Sequence, residues 1–357
     1  MSFLFHKKGK KKGSEHAKKP STSIASSSSG PVAPQWNDVI DASTATILAH
    51  GGDSGCWERV EWTSAHHEDP YRRMGCEFTA ASYVYKYHQY PANHRATNVH
   101  PRTVVVKVGL KGYDPMFADP TEISYMNYLN QVSAGQAYHP NLIKMTAHYL
   151  SPIATPDLPN CIQGGLAPPS IVVTEYLANG SLNNAIDYPK RMSSRLKSVW
   201  GTYDYKYSVT SDLVSAVHYL HTSAKLIHRD LKPASYWAGT PGYSAPMEEI
   251  HRMGNKKPCL QMDLFALGVV LLEIWIGSPN TLIDKLSVYS CLKNEQELIN
   301  TFHSILHKSN FEKLGSPQQR MVVQKVIWNL LLQRVTSDDN PSFTTNDATR
   351  LLNTIRQ

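Results

Sequence analysis

The stretch His228–Met247, HRDLKPASYWAGTPGYSAPM, decides how the rest of this 357-residue chain is read. Its first half carries an Arg-Asp-Leu-Lys-Pro run and its second a Gly-Thr-Pro-Gly-Tyr turn, and only twelve residues lie between Asp230 and Tyr243. What surrounds it is patterned. Upstream, RTVVVKVGL (102–110) and SIVVTEYL (170–177) are rich in β-branched residues between turn formers and predict strands. Around and after it helices are predicted. Leu213, Ala216, Val217 and Leu220 share one helical face, as do Val323, Val326, Ile327, Leu330 and Leu331. Residues 262–276 are apolar nearly all round, the pattern of a helix buried inside a helical domain. Strands followed by helices give an α+β class. Pro-rich stretches at 89–101 and 151–169 read as surface insertions.

Composition bounds the alternatives. With 41% apolar residues the chain can bury a core, and its net charge of +7 is local: seven lysines against Glu15 leave +6 in the first twenty residues and +1 over the remainder. Residues 1–35, Lys-rich and then Ser-rich, are expected to be a disordered tail. Such a tail suits an anionic membrane surface, with Phe3, Leu4 and Phe5 as apolar anchor, or a nuclear import factor. No specific nucleic acid is implied. A secretory signal is not expected, because no apolar run follows the charges, and Ser2 stands where N-myristoylation needs glycine. The longest apolar run, from Leu264, meets Glu273 well short of a span, so no transmembrane segment is expected. Five scattered cysteines without Cys-x-x-Cys spacing indicate a reducing compartment, hence an intracellular protein of cytoplasm or nucleus. The histidines include a group at His66, His67, His88, His94 and His100, but no His-x-x-x-His pair is expected on a helix, so no metal site is assigned.

LIHRDLKPAS resembles the catalytic loop of eukaryotic protein kinases of the Ser/Thr type, and the resemblance runs in order along most of residues 70–355. It implies a bilobal fold: a small β-rich N-lobe with insertions at 36–177 and a larger helical C-lobe at 178–357. Lys107 in VVVK matches the strand lysine that contacts the ATP phosphates, and Glu122 in EISYMNYL its helix partner, with Met126 and Leu129 on the same face. A short insertion, 131–138, is expected before HPNLIKM, which looks like the next strand. Thr174 resembles the gatekeeper, and Glu175 to Leu177 the hinge that meets adenine. In the family, Asp230 would accept the substrate hydroxyl proton, Lys232 would stabilise the transferring phosphoryl group, Arg229 would brace the activation segment and Thr240 would lie near Asp230. Asp263, in MDLFALGVVLLEIW, is positioned to bond the catalytic-loop backbone.

The resemblance breaks at the metal. Kinases hold Mg²⁺ with an Asp-Phe-Gly aspartate and a catalytic-loop Asn; Ser235 takes the Asn position and no Asp-Phe-Gly occurs in the sequence. The strand pair and activation loop after the catalytic loop look excised, and twelve extended residues can still bridge roughly 40 Å. Mg²⁺ is therefore not expected to bind in the usual way, and ATP is doubtful; losing ~4 kcal/mol of charge stabilisation would slow transfer about a thousandfold. The phosphate loop offers only Gly75 ahead of Val84, and Val105 stands where the family has Ala. Met247 replaces the glutamate of Ala-Pro-Glu, and Asn340 its arginine partner. The implied function is a pseudokinase acting on protein partners as a binding or scaffold module. The alternatives are a weakly active Ser/Thr kinase and a truncated gene product of an active one.

Overall fold

The computed structural model describes residues 56–60, 76–79, 82–91, 100–109, 120–133, 138–150, 170–178, 182–187, 194–232, 243, 259–277, 295–333 and 341–355. It is α+β, with an antiparallel sheet and a set of helices. The described residues fall into two compact units. One holds the residues up to Ile123 together with Met145–Tyr176, and the other Ser124–Lys144 and Leu177–Gln357.

The first unit is a six-stranded antiparallel sheet of β1 (Trp57–Val60), β2 (Cys76–Thr79), β3 (Ser82–Gln89), β4 (Arg102–Gly109), β5 (Met145–Leu150) and β6 (Ser170–Glu175). Its order is β1-β3-β4-β6-β5, and β2 pairs with the other half of the β3 edge. Period-2 alternation sorts the faces. Tyr85 and Tyr87 on β3, Val104 and Val106 on β4, and Ile171 and Val173 on β6 point to one face and are all buried. The opposite face carries Val84, Lys107 and Val172 in one cross-strand row and Lys86, Val105 and Thr174 in the next.

Several sequence expectations shift here. HPNLIKM is not a strand: Leu142 N–H donates to His139 O (3.1 Å) and Asn141 N–H to His139 Nδ1 (3.3 Å), closing a turn, and β5 starts at Met145. Proline at position 140 has no N–H for a ladder, which favours that turn. The strand predicted over 170–177 ends at Glu175. The insertion proposed at 131–138 begins inside a helix, because α1 (Pro120–Val132) continues through Gln131 and Val132.

The second unit contains the C-terminal part of α1, then α2 (Leu182–Asp187), α3 (Ser194–Trp200), α4 (Tyr203–Thr222), α5 (Leu260–Ile276), α6 (Glu295–Lys308), a 3-10 turn at Asn310–Lys313, α7 (Pro317–Leu331) and α8 (Thr345–Asn353). Every residue from Gln261 to Trp275 of α5 is buried, so the helix is the axis of the core. α7 packs on it closely at Gly268, where a Cβ would come within 3.0 Å of Leu330 Cβ and of Leu331 N; nothing larger than glycine fits without moving a backbone. α4 lies alongside, burying Leu213, Val214, Ala216, Val217 and Leu220, and α8 packs on α4. Helix starts are specified locally: Thr202 caps α4, and Ser316–Gln319 and Thr344–Asp347 form capping boxes on α7 and α8.

One ammonium lies in this core. Lys206 of α4 donates through Nζ to Ile274 O (2.6 Å) and to Trp275 O (3.4 Å), satisfying carbonyls of the last turn of α5. Burial pushes its pKa down to about 8. The unfolded chain keeps this proton up to about pH 10.4. Above pH 8 the unfolded state therefore binds more protons, and stability rises with pH; below pH 8 both states are protonated and the slope vanishes. Burial also raises the Tyr203 phenol above its ordinary value, and from about pH 10 that acts in the opposite sense, because the folded state then keeps the extra proton. We expect urea unfolding to show stability climbing by about 2 kcal/mol between pH 8 and 10. Lys206→Met should flatten that climb; an unchanged slope in the variant would show that another group titrates there.

Candidate functional site

The residues of the opening stretch follow α4 directly. After a turn containing Lys225 (φ 53°), the chain runs through His228, Arg229, Asp230, Leu231 and Lys232. Asp263, fully buried in the first turn of α5, organises them. Its Oδ2 accepts from His228 N–H (2.6 Å) and its Oδ1 from Arg229 N–H (2.8 Å). His221 at the end of α4 brings Nε2 to 2.8 Å from Oδ2, and as the carboxylate accepts, that ring nitrogen donates. Arg229 holds φ at 64°, a left-handed conformation that costs a non-glycine residue ~1–2 kcal/mol. Charge-assisted bonds to the buried carboxylate offset that strain.

Within the loop His228 Nδ1 accepts from Asp230 N–H (3.2 Å), fixing the imidazole against the backbone of the next-but-one residue. Lys232 Nζ lies 2.9 Å from Asp230 Oδ1; the lysine side chain is 7% exposed, whereas the aspartate side chain is 36% exposed. A half-accessible carboxylate with an ammonium held against it can take a proton from a hydroxyl group while the cation steadies negative charge nearby. Leu231 between them is buried and anchors the loop in the core. Arg229 is exposed.

Beyond Lys232 the next described residue is Tyr243, which is buried. Its hydroxyl donates to Glu273 Oε1 at 2.6 Å, and Glu273 is fully buried in α5. The two ends of the short interval are thus tied to one helix, His228–Arg229 at Asp263 and Tyr243 at Glu273. Ten residues of helix rise ~15 Å, well within the reach of the residues that join Asp230 to Tyr243.

The sheet unit brings the other assigned residues together by register. Val84 pairs with Lys107 and Val105 with Thr174, and all four project from one face. Lys107 and Val105 are partly exposed, and Thr174 is 8% exposed. Glu175, paired with Val104, closes β6 from the other face. A residue not singled out from the sequence lies on the same face: Lys86 holds its ammonium 4.5 Å from the centroid of the Tyr176 ring. Alternation in SYVYKYHQ carried that signal. Leu177 begins the helical unit and is partly exposed.

Other assignments lie outside the described residues: Gly75, Thr240, Ser235, Met247 and Asn340, and the whole of 1–35 and 151–169. Glu122 is placed in α1, but its side chain also lies outside them, while Met126 and Leu129 on the same helix are buried. The sequence supplies no Asp-Phe-Gly carboxylate, and among the described residues no group of three or more His, Cys, Asp or Glu stands close enough to hold a metal. The expectation that no His-x-x-x-His pair falls on a helix is corrected: His303 and His307 have that spacing on α6. Apolar residues at 298, 299, 302, 305 and 306 gave the amphipathic signal for this helix. Among the described residues no helix is long and apolar enough to cross a membrane.

No family model matches the chain. Over part of its length it is similar to curated proteins of Arabidopsis thaliana. One is named a probable LRR receptor-like serine/threonine-protein kinase, 28% identical over 188 residues, 44% of this chain and 16% of that protein. A second is an L-type lectin-domain containing receptor kinase, 28% identical over 142 residues, 31% of this chain and 20% of that protein. A third is a receptor-like kinase, 28% identical over 180 residues, 41% of this chain and 28% of that protein. The chain therefore spans well under a third of the length of these relatives. The partial likenesses point to a kinase-like relationship, with which the α+β architecture is compatible.

The Tyr243–Glu273 bond gives a direct test of how the interval is anchored. Tyr243→Phe removes the donor to a buried carboxylate and should lower unfolding stability by about 1–3 kcal/mol in urea titrations. A loss below about 0.5 kcal/mol would mean that Tyr243 does not hold the segment to α5.

Proposed function

We propose that this chain is a pseudokinase: a bilobal protein-kinase-like domain, sheet unit as N-lobe and helical unit as C-lobe, that binds protein partners and does not transfer phosphate. The observation that carries this reading is the twelve-residue interval between Asp230 and Tyr243, in a sequence that has no Asp-Phe-Gly. Phosphoryl transfer depends on neutralising the β- and γ-phosphate oxygens, which kinases do with metal ions held by that aspartate and a catalytic-loop Asn. Here the proton acceptor and its lysine remain while the carboxylate that grips the metal is gone. The Asp263–His221 anchor of the loop and the Tyr243–Glu273 bond tie both ends of the interval to α5, which supports a helical unit that folds without the segment the family carries there.

A second reading rests on a different observation. Asp230 and Lys232 of the helical unit remain paired at 2.9 Å, with Asp230 accessible, and within the sheet unit Lys107 shares a face with Val84, Val105 and Thr174. That both sets of residues persist, each in its own unit, favours weak Ser/Thr phosphotransfer by an unconventional route.

Thermal melting with and without Mg-ATP, together with a phosphotransfer assay, separates the two, because a ligand of the folded state raises the melting temperature by mass action. The pseudokinase reading expects no magnesium-dependent shift that Lys107→Met removes, and phosphotransfer no higher than that of Asp230→Asn. A Mg-ATP shift and phosphate incorporation that both vanish in Lys107→Met would overturn it in favour of the kinase.

A further inference from the structure

The pair His303 and His307 belongs to none of the chemistry above. Both rings are exposed on α6, and the helix face between them is fixed because Phe302, Ile305 and Leu306 are buried in the core. Residues four apart on a helix stand one above the other, with Cβ atoms about 5–6 Å apart. Both histidines line one cavity of about 680 Å³ between α6, the 3-10 turn and α7, which Glu312, Arg320 and Gln324 also line. His303 Nδ1 lies 3.4 Å from Gln324 Nε2 on the protein surface, and its ring meets that of the neighbouring Phe302 edge-on at 5.9 Å.

We propose that His303 and His307 form a two-imidazole binding site for a borderline divalent transition metal of the Zn²⁺, Ni²⁺ or Cu²⁺ class, with water in the remaining coordination positions. Imidazole selects these ions over Mg²⁺ and Ca²⁺, which prefer oxygen ligands. Two rings one helical turn apart chelate one ion from a single face, the spacing that zinc enzymes use on a helix. Gln324 supplies the outer contact that metal-bound histidines commonly have. With its amide turned so that the carbonyl accepts Nδ1–H, it leaves the His303 Nε2 lone pair for the metal. Because the spacing exists only while α6 is helical, the ion binds the folded state and stabilises it. This site is independent of the nucleotide question, since it uses no residue of the kinase-like loop.

The test is a titration of the full chain with Zn²⁺, read by calorimetry and thermal melting, alongside His303→Ala, His307→Ala and the double variant. Wild-type protein should bind one more equivalent than the double variant. At zinc about 100 times the dissociation constant, the folded-to-unfolded ratio should rise about a hundredfold, an increment lost in each single variant. Mg²⁺ should produce no such increment. Cu²⁺ electron paramagnetic resonance gives an independent reading, with two nitrogen ligands in wild type that disappear in the double variant. Far-UV circular dichroism checks that these exposed substitutions leave α6 folded. Equal zinc stoichiometry and equal melting shifts in wild type and the folded double variant would overturn the proposal.

Discussion

Asp263 is the constraint on which the helical unit's chemistry depends. A carboxylate with no exposure is tolerated only if its oxygens are bonded, and here they accept from two consecutive backbone amides and an imidazole. Each partner gains in return. The Arg229 backbone is held in a left-handed conformation it would otherwise leave, and the turn at 228–229 aims Asp230 outward and Leu231 inward. The position of Asp263 in the first turn of α5 adds the favourable end of the helix dipole to the carboxylate. Rigidity comes from α5, which is buried on all sides and abutted by α7 at Gly268.

Glu273, at the other end of the same helix, repeats the device for Tyr243. One buried helix thus fixes the start and the finish of an interval too short to contain the metal-binding segment found in working kinases. The arrangement separates two things that usually travel together. The turn that carries Asp230 is held by Asp263, and the sequence contains no Asp-Phe-Gly; the proposed loss of phosphate transfer rests on that combination.

The apolar periodicities of α4, α5 and α7 were legible because burial imposes them, and β4 and β6 because β-branched residues mark them. Glu273 was visible as an interruption in an apolar run, but its partner was not: a tyrosine thirty residues away is joined to it only by packing. The turn at His139–Leu142 was hidden by its apolar neighbours Leu142 and Ile143, whose burial and half-burial mimic a strand while Pro140 and the His139 ring direct the backbone elsewhere. Lys206 was not legible at all, since nothing in YDYKYS distinguishes an ammonium that caps a helix C-terminus from one in water. His303 and His307 were legible as a spacing and became a pair only once 295–308 was recognised as a helix.

Native-state hydrogen exchange at the amides of His228 and Arg229 tests the central claim most directly. If Asp263 holds this turn as part of the core, both amides exchange only through global unfolding, with the same opening free energy as the slowest amides of α5. Exchange at those two positions several orders of magnitude faster than in α5, as for a freely opening loop, would contradict the account.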